Sequence, residues 1–525
     1  MYDVAIIGSG PGGSVAATLL AKLGHSVLLL ERGSHPRFAI GESTTPVMSK
    51  KIRNIGKIYD VPEFVDLSSY DRIKEANLGI TCGPKELFHY FIHDKGQTVA
   101  EPNGINREIL VQTPEIDTQL LRGESDKLLV EIAQRYGADY IDHTEVTNLD
   151  IRDDGITIDC KDKDGGAMSI ETKFIIDATG FKSLISQKYD LRVADEDLDV
   201  PLNSRAIFTH FKDVGNFEEI SGASEEFIKA TPAPRSHATQ HHCFEGGWIW
   251  FIPFENGVTS VGLNLDIDVY GNNDKSGEEE FWEIVNEYPI MKKMLEGRET
   301  LFPFIKTGRI QFQNKQAVGD RWVMLPASAA GLDAWFSTGM ASTMIAVHRI
   351  VDILDTRVLK ENNFSREHFL NYEIALFKEW KTIATMINGI YKSFRHFDVF
   401  KYYCFFCFMG AERFVKTGGY KRPHDMDFLM LSAGDEEFLE KFGEFYKLVM
   451  ELCEKDEIDE KTQAYMQDFI QNKMKKYNYR DYGNPIYNGV HGRVEDDEDM
   501  APMTDMPMKA DVSQMSAKVC EEAVS

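Results

Sequence analysis

The chain has 525 residues with 43% hydrophobic content and a formal net charge of −26. That length supports a large core and more than one structural unit, and the acidic balance argues against nucleic acid or an anionic membrane surface as a partner. Seven irregularly spaced cysteines suit reduced thiols, no apolar run reaches the length of a membrane span, and no basic-then-apolar leader opens the sequence. The expectation is a soluble cytoplasmic protein.

Asp3 to Ile7 is a short apolar run followed at once by Gly8-Ser9-Gly10-Pro11-Gly12-Gly13. Apolar residues at helical spacing come next, then a second buried-strand pattern that ends at Glu31. This is the strand, glycine turn, helix, strand order of a dinucleotide fold. Gly8 permits the tight turn, Gly10 lets backbone approach a pyrophosphate, and Gly13 lets helix and strand pack closely. Phosphate charge then sits at a helix N-terminus, and Glu31 can accept hydrogen bonds from ribose hydroxyls.

Further along, Leu120 to Tyr136 reads as an amphipathic helix stopped by Gly137, and Phe174 to Gly180 as a strand entering a small-residue turn. Arg321 to Gly331 reads as a strand and turn before a helix at about Ser337 to Ile350. Arg205 to Phe211 and Gly247 to Leu265 have strand character, so an antiparallel sheet is expected within the nucleotide-binding fold. The predicted fold is α/β: a Rossmann-type dinucleotide-binding domain, an inserted antiparallel β-sheet domain and a helical C-terminal region. The expected boundaries are 1–350 for the discontinuous nucleotide-binding domain, with inserted segments near 70–110 and 186–300, 351–491 for the helices, and 492–525 for a tail. That tail holds nine acids and three basic residues and is expected to be disordered. Cys404 and Cys407 form a C-x-x-C in aromatic surroundings, which reads as buried apolar side chains rather than a redox pair.

Together these pieces resemble the flavin-dependent halogenases, within the wider group of flavoenzymes built like aromatic hydroxylases. GSGPGG, Gly41-Glu42-Ser43-Thr44 and Asp177-Ala178-Thr179-Gly180 are shared by that wider group. Gly247-Trp248-Ile249-Trp250-Phe251-Ile252-Pro253 is similar to the halogenases' own W-x-W-x-I-P signature. The resemblance implies FAD as cofactor, held by Gly8, Gly10, Gly13, Glu31, Arg32, Glu42, Ser43, Thr44, Arg122, Asp177, Gly180, Ser328 and Gly331. It implies a tunnel wall of Trp248, Trp250, Ile252 and Pro253, and halide at the backbone of Thr338 and Gly339. Ser337 or Thr338 as an ordinary helix cap is compatible with that. Ala327 and Ser328 depart from the family's Gly-Asp, and Ala334 from its proline.

The resemblance also implies a lysine on the substrate side of the tunnel, for which Lys74 is the first choice by spacing and Lys85 the second. A desolvated amine suits delivery of halogen. The position of the tryptophan halogenases' glutamate holds Phe336, which points to a phenol, a pyrrole or a related electron-rich aromatic. His241 or His242 could act as a base, although strand histidines more often satisfy packing. No second nucleotide fingerprint appears, so a separate flavin reductase is implied beside O2 and halide as partners. The rival readings are an aromatic monooxygenase, a flavin-dependent reductase, and a non-catalytic flavoprotein scaffold.

Overall fold

The computed structural model describes residues 1–484 and 490–491, so the tail expected at 492–525 lies outside the described residues. Strand β1 (Tyr2–Ile7) buries its last four residues completely or nearly so, as a strand flanked on both sides must. It pairs in parallel with β2 (Val27–Leu30) on one side and, on the other, with the strand Ala167–Asp177. The register sets Ile7 against Leu30 and Asp177, so Gly8, Glu31 and the turn at Ala178 meet along one edge of the sheet. The short strands Asp139–Ile141 and Trp322–Met324 extend the parallel order, and Glu145–Arg152 with Gly155–Lys161 adds an antiparallel meander.

A second sheet has eight strands. With β3 (Cys82–Ile92), β4 (Glu108–Leu120), β5 (Ser204–Lys212), β6 (Ala238–Phe244), β7 (Gly247–Pro253), β8 (Val258–Asp266) and β9 (Ile305–Arg309), its order is β9-β5-β8-β7-β6-β3-β4. Val490–His491 closes the β4 edge. The sheet is mixed rather than purely antiparallel: β3 and β6 run parallel, as do β4 and Val490–His491. Its strands also reach past the expected insert limits, to Leu120 and to Arg309. The expected helix starts at Arg122 because Leu120 is still paired to β3, and Gly137 ends that turn at φ +103°.

The two faces of this sheet serve different cores. His241, Trp248 and Trp250 share the face that meets the C-terminal helices Leu370–Ser393 and Phe397–Lys416. His242, Ile249 and Phe251 point to the other face, into a second cluster with Phe217 and Phe281. One apolar core runs continuously from β1 through those helices to Tyr482. Cys404 and Cys407 are buried, unbonded thiols on the helix Phe397–Lys416, as expected of apolar side chains there. No helix among the described residues is long and apolar enough to cross a membrane.

The chain returns to the sheet edge through Tyr482, which is fully buried, stacks on Phe405 at 5.0 Å and donates to Glu412 at 2.7 Å. His491 packs edge-on against Tyr482 at 4.6 Å and is itself buried, so a truncation after Val490 would cut into this packing. Tyr482→Ala is expected to destabilise the fold by about 3–5 kcal/mol, the cost of emptying a large aromatic site, measured by equilibrium denaturation. A loss below about 1 kcal/mol would show that this return segment carries no packing load.

Candidate functional site

The nucleotide turn is built by two close approaches. Gly8 lies at φ +106°, where a Cβ would stand 2.4 Å from the Ala178 oxygen. A Cβ on Gly13 would stand 2.0 Å from the Gly8 oxygen. Gly12 faces side chains instead of backbone: a Cβ there would stand 2.5 Å from a Thr343 methyl and 2.7 Å from a Leu325 methyl. Gly10 differs: its Cβ would meet only Arg37 Nη2, at 4.0 Å. The helix Pro11–Lys22 that follows has no side-chain cap and no acid in its first turn, which leaves its leading amides for a ligand.

The Glu31 carboxylate accepts from Ser9 N at 3.1 Å, Ser9 Oγ at 2.8 Å and Gly33 N at 2.9 Å. Burial pushes its pKa up, but these donors and Arg37 hold it below the usual range, so it is an anion that also shapes the loop. Arg32 is exposed, whereas Arg37, which carries no local sequence signal, lies 3.9 Å from Glu31 and beside Gly10. The buried Arg37 Nε and Glu42 Oε2 have no hydrogen-bond partner among the described residues. An open Gly10, uncapped amides and unpaired polar atoms fit a dinucleotide such as FAD.

Gly41, at φ +88°, brings the Gly41–Thr44 segment against Arg122, whose Nη1 donates to the Ile40 oxygen at 2.5 Å and the Gly41 oxygen at 3.2 Å. Asp126 fixes the guanidinium from the other side at 2.7 Å. Glu42 Oε1 meets His210 Nε2 at 2.7 Å. Ser43 Oγ and the Thr44 oxygen both accept from Lys85 Nζ, at 2.7 and 2.6 Å. Asp177 accepts from Thr179 N, Thr179 Oγ1 and Ile185 N and so sets the turn to Gly180. Ser328 accepts from Gly180 N at 2.9 Å, so its hydroxyl braces that turn. Gly331 lies where a Cβ would reach 2.3 Å from the Ile310 oxygen, and its own carbonyl accepts from Trp380.

Ser337 takes a left-handed conformation (φ +52°) immediately before the helix Thr338–Ile353 and makes no side-chain cap bond. A left-handed residue followed by helical ones turns successive amides toward one point, the form of an anion nest. The space where a Cβ on Gly339 would stand is open. A few residues earlier, buried Asp333 accepts from Ser204 Oγ at 2.6 Å, Tyr391 OH at 2.8 Å and Trp335 N at 3.0 Å. Tyr391 OH in turn accepts from Trp248 Nε1 at 2.9 Å, which ties the paired tryptophans to the segment that leads into Thr338. Neither Tyr391, Ser204 nor Asp333 carries a sequence signal for this role.

Trp248 and Trp250 are nearly fully buried on one face of β7, with ring centroids 5.9 Å apart. Gly262 on β8 leaves room for the Trp250 ring, which a Cβ there would overlap at 1.9 Å. Ile252 is buried on that face, and Pro253 ends the strand partly exposed. His241 stacks on Tyr90 at 4.4 Å and burial drives its pKa down to about 3, while His242 faces the opposite core beside His93. Both are therefore neutral packing groups near pH 7, not bases poised to titrate.

The first-choice lysine does not have the environment its role demands. Lys74 is half-exposed on the short helix Tyr70–Ala76, and its hydrogen bond to Glu255 at 2.7 Å raises its pKa. Lys85 is fully buried on β3, with Nζ 4.0 Å from the Phe88 ring centroid. Burial lowers its pKa well below the usual lysine range, opposed by Asp117. Chain spacing favoured Lys74; desolvation, which only the fold reveals, favours Lys85.

Comparison with known proteins bears on the family of the whole chain. The family profile described as Tryptophan halogenase matches residues 115–400, and that of the NAD(P)-binding Rossmann-like domain matches 6–48. Tetracycline 7-halogenase from Kitasatospora aureofaciens is 31% identical over 432 residues, covering 79% of this chain and 75% of its own. A chlorinase of 1H-pyrrole-2-carbonyl groups on a peptidyl-carrier protein, from Pseudomonas fluorescens, is 27% identical, with coverage of 75% and 85%. The crystal structure of halogenase PltM in complex with phloroglucinol and FAD superposes with a TM-score of 0.84 at 23% identity, covering 93% of this chain and 99% of that one. The chain belongs to the flavin-dependent halogenase family.

Two glycine substitutions separate folding from cofactor binding. Gly10→Val should leave the melting temperature of the flavin-free protein unchanged, within about 2 °C, and abolish FAD retention. Gly13→Ala should lower the melting temperature itself, because its methyl meets backbone. Flavin absorbance and thermal melts of the purified variants read both effects, and FAD retained by Gly10→Val would contradict the placement of the pyrophosphate.

Proposed function

We propose that the protein chlorinates or brominates an electron-rich aromatic, of the phenol or pyrrole class, with FAD held along the Gly8–Gly13 turn and Lys85 as the group that delivers halogen. The observation that carries this reading is a fully buried lysine whose amine is gripped by Ser43 and Thr44, two strands away from the Trp248–Trp250 wall.

FAD, when bound and reduced, supplies the electrons that let O2 oxidise halide to hypohalous acid. Arg37, Glu31, Glu42 and Arg122 would bind and orient the cofactor, and the amides of Thr338 and Gly339 would hold the halide. The buried Trp248, Trp250 and Trp335 exclude bulk water from the path toward Lys85. With its proton removed, the Lys85 amine has a lone pair. Its nitrogen takes the halogen from hypohalous acid and releases water, or holds the acid by a hydrogen bond. Attack by the aromatic carbon then forms the carbon–halogen bond, and the ring proton leaves as the amine is restored.

Phe336 stands where a tryptophan-directed enzyme carries a carboxylate, which supports a phenol or pyrrole over an indole. The carrier-linked substrate of the Pseudomonas relative and the phloroglucinol bound by PltM fall in those classes. A separate flavin reductase would supply the reduced cofactor in the cytoplasm.

Lys85→Ala should lose halogenation by at least about 100-fold, the lower range for removal of a group acting in the transition state, with FAD binding and O2-dependent flavin oxidation intact. Lys74→Ala should retain activity within about twofold of the parent protein, as expected for a solvated ion pair. The assay is mass spectrometry of a phenol and a pyrrole after incubation with the protein, FAD, a reductase, O2 and bromide. Oxygen incorporation independent of halide would instead assign a monooxygenase, and halogenation surviving in Lys85→Ala would remove Lys85 from the mechanism.

A further inference from the structure

Lys85 on β3 stands directly across the strand pair from Asp117 on β4. Both side chains are fully buried. A buried ammonium or carboxylate is costly unless paired, so two such groups in register constrain each other's charge. Lys85 Nζ is held by Ser43 and Thr44 rather than by the carboxylate itself. Asp117 Oδ1 accepts from Ser49 Oγ at 2.5 Å, and Asp117 Oδ2 is buried with no hydrogen-bond partner among the described residues. An unsatisfied carboxylate oxygen in such a place is stable when it carries a proton, or when a cation nearby compensates it.

We propose that Asp117 is the proton partner of Lys85, a positioning residue that sets when the amine is free to take up halogen. The proposal rests on the assignment of Lys85 as the halogen-delivering group. The pair exchanges one proton between two states: ammonium with carboxylate, or amine with carboxylic acid. Nothing is oxidised or lost in the exchange. The second state presents the lone pair that halogen transfer requires, and it does so without a buried net charge.

The groups that face the pair are few. Ser49 and Arg53 come from the helix Pro46–Tyr59, with Arg53 ion-paired to Glu115 at 2.6 Å on the Asp117 strand. His241 from β6 lies close enough to feel the Lys85 charge and is itself neutral. Burial drives the carboxyl of Asp117 up and the amine of Lys85 down, and each opposes the other's shift. Near neutral pH, Asp117 and Lys85 are thus the groups there that can exchange a proton.

The sign of the coupling makes a test. A carboxylate opposite the ammonium raises the lysine pKa, so removing that charge lowers it. Asp117→Asn keeps the shape and should move the acid limb of the halogenation pH profile down by roughly one pH unit or more, the size expected for one nearby charge. The 13Cε resonance of Lys85, assigned by its absence in Lys85→Arg, should titrate at correspondingly lower pH in the same variant. Ser49→Ala, which removes the hydrogen bond favouring ionised Asp117, should shift both in the same direction by less, and it serves if Asp117→Asn fails to fold. A lower rate at every pH with an unmoved limb and an unmoved resonance would mean that Asp117 only packs, and would overturn the proposal. If Lys85→Ala stays active while the resonance still shifts in Asp117→Asn, the coupling stands and the assignment of Lys85 to halogen transfer falls.

Discussion

The grip of Ser43 and Thr44 on the buried Lys85 amine joins the parts of this protein that have to act together. Ser43 and Thr44 sit at the end of the loop that Arg122 fastens, immediately before the helix Pro46–Tyr59 capped by Thr45. Lys85 lies on β3, one strand from His241 and two from Trp248 and Trp250. A solvated lysine would pay no such cost and make no such connection. Because a buried amine must be hydrogen-bonded, the strand that carries it and the loop that satisfies it cannot move independently.

A second link runs through Asp333. Its carboxylate collects Ser204, Tyr391 and the Trp335 amide, and Tyr391 reaches Trp248. Sheet, C-terminal helices and the left-handed turn before Thr338 are thereby held in one geometry. Burial raises the Asp333 pKa while its donors oppose the rise. Networks of this kind are worth keeping only when nearly all members are satisfied, and they fix the position of the aromatic wall more sharply than packing alone. The wall itself is completed by absences: without Gly262 the Trp250 ring would have no place to lie.

The chemistry of the site follows from water exclusion. Histidines that could titrate in solution are held neutral, His241 at about 3 because it lies between Tyr90 and Trp335. Exposed charge is spent elsewhere, as at Lys74 and Glu255 on the surface. The protein separates a dry interior, where an amine can be neutral, from an exterior that carries most of the net acidic charge.

How much of this was legible beforehand depended on whether the signal was local. The glycine turn, the end of β2 at Glu31, the Asp177 turn and the W-x-W strand are each short segments whose geometry follows from the residues within them. A tight turn at Gly8 and alternation along β7 need no distant partner to be inferred, whereas the missing side-chain cap at Ser337 is not local knowledge, because serine is an ordinary N-cap residue. The mixed sheet was not legible, because β3 and β6 are parallel neighbours separated by more than a hundred residues of chain. The choice between Lys74 and Lys85 was not legible either. Both are lysines near charged neighbours in sequence, and what separates them is burial, which arises only when β3 is covered from both sides. The roles of Arg37, His210 and Tyr391 likewise come from contacts across the chain. Sequence determined the nucleotide-binding turn and the family's strands; tertiary structure decided which ionisable groups lost their water, because desolvation is a property of the packed interior and not of any segment.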